Sequence, residues 1–281
     1  LLQAALDEGA AQRNTRGLLA TCQCELGYLL RDLGRLPEAA EVFRLALANF
    51  EIRAADVSQI DLHIGEASAH RALGVLAQQE GRVSASRSEY ERAIEILREL
   101  RTSAEWRPEH GAELASTLDS LANSFALTGD VGRAEALLRE AVELGTELVR
   151  ELSDVQFVFT LAKSERGLAR ILGDSARLAE SQVLLRSAAG RLRGLREKYP
   201  SMARYSEMLA LVLDELGGLL VLVTHSAEGG SEAFKEALDL RQELAGASPE
   251  NAGHRLLLAI SLGNHLPRPV ADVNEHGVIG G

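Results

Sequence analysis

His63, Glu66 and His70 stand at i, i+3 and i+7, which on a helix puts two imidazoles and a carboxylate on one side, a donor set of the kind a zinc ion accepts. His70 falls at a position that packs between helices, and no further ligand motif accompanies the three. A structural role is therefore preferred, and no metal is expected. Cys22 and Cys24, the only cysteines, point about 200° apart on a helix, which disfavours a disulfide or a shared metal and favours packing. Ser84, Ser86 and Ser88 could accept phosphate near a helix start, with capping or solvent exposure as the default. No glycine-rich phosphate loop follows a strand, no HExxH occurs, and Ser, His and acidic residues are scattered without a nucleophile elbow. The chain reads as non-enzymatic, with no catalytic residue and no cofactor.

Whatever these side chains do, regular elements must position them. Hydrophobic residues make up 46% of the 281 positions but aromatics only 4%, with Trp106 alone of its kind. A core built mainly of Ala and Leu suits close-packed helices better than sheets, so an all-α fold is expected. The net charge of −11 argues against general affinity for nucleic acid. With no apolar run of about 18 residues, no membrane span is expected, and a cytoplasmic location is the default. The chain opens LLQAALDEGAAQRN, in helical style and without Met, which leaves open whether it is a fragment of a longer protein.

A repeat organises the helices. Alanines that open a helix-like segment stand at Ala20, Ala67, Ala115, Ala162, Ala210 and Ala259, 47 to 49 residues apart. Six residues on come Leu26, Leu73, Leu121, Leu168 and Leu216, with His265 breaking the pattern. The next position is small, at Gly27, Gly74, Ala122, Ala169 and Gly217, where two helices can approach closely. Gly34, Gly81 and Gly129 suit the left-handed end of a first helix; Ala176 and Thr224 depart from glycine there. In the second helix a large residue (Phe43, Tyr90, Leu138, Leu185) is followed three positions on by Ala46, Ala93, Ala141 or Ala188. Phe234 and Ala237 join this series if the GlyGly turn of the fifth repeat holds one extra residue. Helix pairs are expected at 15–33 with 36–55, 61–80 with 83–102, 109–128 with 131–152, 155–173 with 176–198, and 201–223 with 231–246. A last first helix opens at Pro249 and runs to about 266, and residues 267–281 are expected to be extended or disordered.

Leu-Gly early, Ala in the second helix, then an aromatic and another Ala: this pattern resembles the tetratricopeptide repeat, in about five and a half copies over residues 15–266. The resemblance implies an α-solenoid of antiparallel helix pairs coiled into a right-handed superhelix, one array over residues 1–266. Its concave surface would be lined by first helices, where peptides commonly bind. The period exceeds the family's usual length of about 34 by roughly 13 residues, which longer helices account for. Similar long-period arrays occur beside serine/threonine kinase domains in some bacterial proteins. A regulatory, sensor or self-associating segment of a larger bacterial signalling enzyme is therefore the alternative reading.

Family positions assign inward exposure to Tyr28, Arg71, Asn123, Lys163, Arg166 and Arg170, the candidate peptide contacts. Lys163, Arg166 and Arg170 share one helical face and, in an acidic chain, would attract carboxylates. Some family members clamp a peptide's terminal carboxylate with Lys, Asn and Arg at comparable positions. Val75, however, stands where an Asn would help, and Asp119 would repel an acid, so ordinary solvated charge stays an open reading. Tyr28 either anchors a contact or covers aliphatic surface. Leu211, Asp214, Gly218, Val221 and Leu222 form either an apolar groove or a surface buried by the next repeat, with burial preferred. Trp106 and Pro108 either seal the joint between repeats two and three or offer an anchor to a partner. A truncated last repeat needs capping by His265, Leu266 and the tail, or by another chain. The expected partner is a protein or peptide segment with acidic or C-terminal carboxylate groups, with no nucleic acid and no membrane.

Overall fold

The computed structural model describes residues 2–50, 59–103, 106–152 and 154–265. Leu266, the tail from 267, and the end of the helix expected at 36–55 lie outside the described residues. Among the described residues every regular element is helical. Unit Leu1–Pro200 contains α1 (Leu2–Asp32), α2 (Leu36–Phe50), α3 (Gln59–Gln79), α4 (Val83–Arg101), α5 (Gly111–Ala126), α6 (Val131–Leu152), α7 (Val155–Asp174) and α8 (Leu178–Lys198). Unit Ser201–Gly281 contains α9 (Ala203–Thr224), α10 (Ser231–Ala247) and α11 (Ala252–His265).

Each first helix packs on its own second helix through the pairing of small and large residues. A Cβ added to Gly27 would lie 2.7 Å from the Phe43 ring, at Gly74 2.5 Å from Tyr90, and at Gly217 2.7 Å from Phe234. Where the large residue is Leu138 or Leu185 instead of an aromatic, the small one is Ala122 or Ala169. The two volumes vary together, so the distance between helices is held while the side chains change. Phe234 meeting Gly217 places the fifth repeat in register, but the extra residue is not in the GlyGly turn: His225 stands nine residues before Phe234, as Gly34 does before Phe43, so it lies in the last turns of α9, ahead of the 3-10 turn Ala227–Gly230. There a Cβ on Gly230 would come within 2.3 Å of the Gly217 carbonyl oxygen, a backbone approach that only glycine tolerates.

The turn between the helices of a pair is set by one left-handed residue. Gly34, Gly81 and Gly129 have φ of 74, 73 and 81°, and the two bonds typical of such an ending recur, as in Gly34 N–H to Arg31 O and Arg35 N–H to Leu30 O. Ala176 keeps the same geometry at φ 59°, and in the fifth repeat the left-handed residue is His225, one beyond Thr224. The last first helix does not open at Pro249. Asn251 caps it, its Oδ1 accepting from the Gly253 and His254 amides, so α11 starts at Ala252 with Pro249 in the turn before it.

In the first unit α2 packs on α3, α4 on α5 and α6 on α7, and the first helices α1, α3, α5 and α7 also touch in sequence. The second helices α4, α6 and α8 are linked instead by long ion pairs, Arg98–Glu140, Arg101–Glu147 and Arg139–Glu180. Crowded first helices and spread second helices put the concave side of this unit on the first-helix face. Ala20, Ala67, Ala115, Ala162 and Ala210 are buried, whereas Ala259 of α11, which has no second helix after it among the described residues, is exposed.

Gly74→Ala would press a methyl into Tyr90 and is expected to cost about 1–3 kcal/mol. Tyr90→Leu alone leaves a void. The double variant G74A/Y90L, which reproduces the Ala122 and Leu138 pairing, is expected to lose less than the two single losses added, and urea denaturation of all four proteins measures the coupling. Ala176→Gly relieves a left-handed alanine, and a gain of about 1 kcal/mol is expected in the same measurement.

Candidate functional site

The concave face of the first unit is built where charged residues of one first helix meet those of the next. In repeats two to four the fifth position from the alanine anchor is Arg71, Asp119 and Arg166, so charge alternates from α3 to α5 to α7. Arg71 on α3 reaches α5, its Nε donating to Glu113 Oε1 at 2.6 Å, with both side chains largely buried. Beside it the Tyr28 hydroxyl of α1 donates to the Ser68 carbonyl at 3.3 Å, and the Tyr28 ring meets Phe43 edge-on at 5.1 Å. Burial pushes the Tyr28 phenol up to about 12 against the pull of Arg71. Tyr28 thus packs, half-buried, against the core shared by α1, α2 and α3.

One helix further on, Asp119 of α5 accepts from the Ser164 hydroxyl of α7 at 3.0 Å through Oδ2, while its buried Oδ1 has no partner. Loss of water pushes this carboxyl up to about 7, with the Lys163 cation and the Ser164 hydroxyl pulling the other way. Arg170 of α7 donates to Asn123 Oδ1 of α5 at 2.9 Å. Lys163 and Arg170 are exposed, and Arg166 between them is half-buried. The structure therefore joins Asn123 to Arg170 and places Lys163 beside Asp119, but it commits Arg71 to Glu113. Glu113 and Ser164 were not singled out from sequence. Both lie within two residues of an alanine anchor, on the face where first helices touch, and that is the signal that would have found them.

Other chemistry-bearing residues have local partners. His70 Nδ1 lies 2.7 Å from Glu89 Oε2, joining α3 to α4. Among the described residues no three His, Cys, Asp or Glu side chains are grouped to hold a metal. Cys22 is exposed, whereas Cys24 is buried with its thiol pushed up to about 12 by desolvation. Ser86 is buried in the core of the second pair. Trp106 is half-buried and stacks edge-on against His110 at 5.4 Å, in the joint before α5. Leu211 is half-buried, but Leu222 is 61% exposed, so the inward row of repeat five is only partly covered. No helix among the described residues is long and apolar enough to cross a membrane.

The tetratricopeptide-repeat family model matches residues 19–48 and 114–149, which fall on the first and third helix pairs. The chain thus carries tetratricopeptide repeats at these two places. Solved structures share the fold of these repeats at low sequence identity. BtubC (BKLC) from P. vanneervenii is 18% identical with a TM-score of 0.62, covering 86% of this chain and 91% of its own. A kinesin light chain with nearly identical tetratricopeptide-like repeats, from Podospora anserina, is 19% identical with a TM-score of 0.54, covering 82% and 97%. The Rap conjugation gene regulator of plasmid pLS20, solved in complex with a Phr peptide, is 14% identical with a TM-score of 0.55, covering 87% of this chain and 59% of its own. No curated protein matches the sequence.

Asp119 gives the contact between α5 and α7 a pH signature. Its folded pKa is raised above the ordinary 3.8, so the folded chain holds a proton that the unfolded chain releases between pH 4 and 7. The stability from this group is fully present below pH 4 and is lost as pH rises through about 7. Asp119→Asn is expected to gain stability over the wild type by about 1 kcal/mol or more at pH 8, with the gain vanishing near pH 4. Denaturant midpoints across that range check it.

Proposed function

We propose that the chain is a non-catalytic interaction module that takes a protein or peptide segment along the first-helix face, with residues 1–266 acting as one array. The carrying observation is the α5 and α7 pair of helices. There Lys163 and Arg170 stand exposed on one face, and Arg170 is held against Asn123 across the repeat boundary. A guanidinium already oriented by an amide loses less side-chain freedom when a ligand carboxylate arrives. Arg166 completes the basic stripe on α7, while Arg71 and Tyr28 supply a flatter, neutralised surface on α1 and α3. The Rap regulator solved with a peptide supports a peptide occupant for this fold. Charge reversal in K163E/R166E is expected to weaken each partner recovered by affinity capture at least tenfold, measured by calorimetry on the purified pair. Unchanged affinities would remove the groove from the binding reaction.

A second reading, self-association, is favoured by the outer face of α1. The positions that α2 covers on α3, Leu73 and Leu76, are 7% and 1% exposed; their counterparts Leu26 and Leu29 on α1 are 47% and 62% exposed. With Leu19, Cys22 and Leu33 they form a stripe at alternating spacings of three and four, suited to helix pairing. In the first unit α2, α4 and α6 are each engaged with the following first helix, so none is free to cover it. A second copy, offering the same uncharged leucine stripe, is the occupant proposed for this face. Light scattering is expected to give a mass that rises with concentration, and L26E/L29E is expected to hold the chain monomeric with its helicity intact.

A further inference from the structure

The second helices follow a charge pattern that breaks once. Directly after the large residue of each second helix stands Arg44, Arg139, Arg186 or Lys235, but in α4 the residue is Glu91. Between α6 and α8 the cation at this place closes the outer surface. Arg139 reaches Glu180 at 3.3 Å, and Arg177, in the turn before α8, returns to Glu135 at 2.6 Å. Between α4 and α6 no such closure forms. Glu91 enters no ion pair among the described residues. Arg133, which holds the place of Glu180, turns instead to Asp130 at 2.9 Å and lies over the Phe125 ring.

The open mouth leads to an apolar cavity of about 360 Å³. Its floor is Ile94 of α4, Leu121 of α5 and Leu137 of α6. Ile94 and Leu121 belong to the core of the first unit and half-buried Leu137 packs against it, so the floor is preformed by core packing. One rim is Glu91, Glu95 and Glu99, exposed carboxylates at i, i+4 and i+8 along α4. No other second helix carries acids at all three of these places, and like charges four apart work against the helix that bears them. Arg98, the cation of the lining, is bound to Glu140 of α6 at 2.6 Å, and Glu95 is paired with Arg92 at 2.7 Å. Glu91 and Glu99, one at each end of the rim, enter no ion pair among the described residues.

We propose that this outer cavity docks a protein segment in which one aliphatic side chain is flanked by two cations. Charge complementarity selects the occupant: the apolar floor takes the aliphatic side chain, and Glu91 and Glu99 each take a Lys or Arg. Spacing selects its conformation. Eight residues of helix separate the two acids by about 12 Å. An extended chain puts residues i, i+2 and i+4 on one face, with about 13 Å between the outer two. The segment is therefore basic, apolar and basic at alternate positions of an extended chain. An acidic segment, a nucleic acid or an anionic lipid surface is repelled by the same rim. The cavity lies on the second-helix side of the first unit, apart from the first-helix face proposed above, so either site can fail without the other.

The test uses the peptide acetyl-Arg-Ser-Leu-Ser-Arg-amide, titrated into the ¹⁵N-labelled full chain at about 0.15 M ionic strength, where distant charges are screened. Amide NMR shifts report the site. Saturable shifts at Ile94, Glu95, Leu121 and Leu137 are expected, at least fivefold tighter than for Arg-Ser-Ser-Ser-Arg or the shuffled Arg-Arg-Leu-Ser-Ser, and absent for Glu-Ser-Leu-Ser-Glu. Glu91→Arg, which restores the cation of repeats one, three and four, should keep or raise the melting temperature and weaken binding at least fivefold. Glu143→Arg, the same charge change at an exposed place on α6, should leave the affinity within twofold. The proposal is overturned by a shuffled peptide that binds as tightly as the first, by unchanged affinity in E91R, by an equal loss in E143R, or by no saturable shift at the cavity.

Discussion

The architecture rests on a volume constraint where each first helix crosses its partner. Phe43, Tyr90 and Phe234 each lie across a glycine, and Leu138 and Leu185 stand in the series where the small residue is alanine. A helix pair built this way keeps its spacing whatever its particular side chains, because what one helix adds in bulk the other gives up. Constant spacing within pairs lets successive units dock on one another in the same manner. That docking, rather than one central core, is what an array of repeats relies on for stability.

Close first helices have a second consequence, for charge. Residues on neighbouring first helices come within hydrogen-bond reach, so Arg71 finds Glu113, Ser164 finds Asp119, and Arg170 finds Asn123. Among the described residues α4, α6 and α8 are bridged by the ends of long Arg and Glu side chains, in largely exposed pairs worth little individually. The inner face is thus preorganised and partly desolvated, whereas the outer face is flexible and wet. Preorganised, partly dry polar groups are the ones able to discriminate among ligands.

Much of the fold was legible because it depends on residue size, which a sequence states outright. The alanine anchors, the glycines against Phe43 and Tyr90, and the register shift that seats Phe234 all follow from counting. Ala176 and His225 were harder, since they adopt a left-handed backbone that their side chains do not advertise; the turn geometry imposes it. The start of α11 depends on a single capping bond from Asn251, a contest between neighbouring residues that composition does not decide. The site was less legible still. Position alone marks Arg71 as facing the groove, but whether it is available to a ligand depends on Glu113, 42 residues away on another helix.

The array also calibrates its own exceptions. A substitution common to all units is most simply a packing requirement, and one that appears in a single unit at a position buried in the others has no such excuse. Arg71, Asp119 and Arg166 vary at a position where neighbouring first helices meet, and each variation is answered by a change of partner, as Arg71 finds Glu113 and Asp119 finds Ser164. Arg241 stands where the other second helices have Phe50, Leu97, Gly145 and Leu192, and there the loss of hydrophobic burial and the desolvation of polar atoms both oppose it. Asp214 and Ser261 offset part of that cost by accepting hydrogen bonds from its guanidinium.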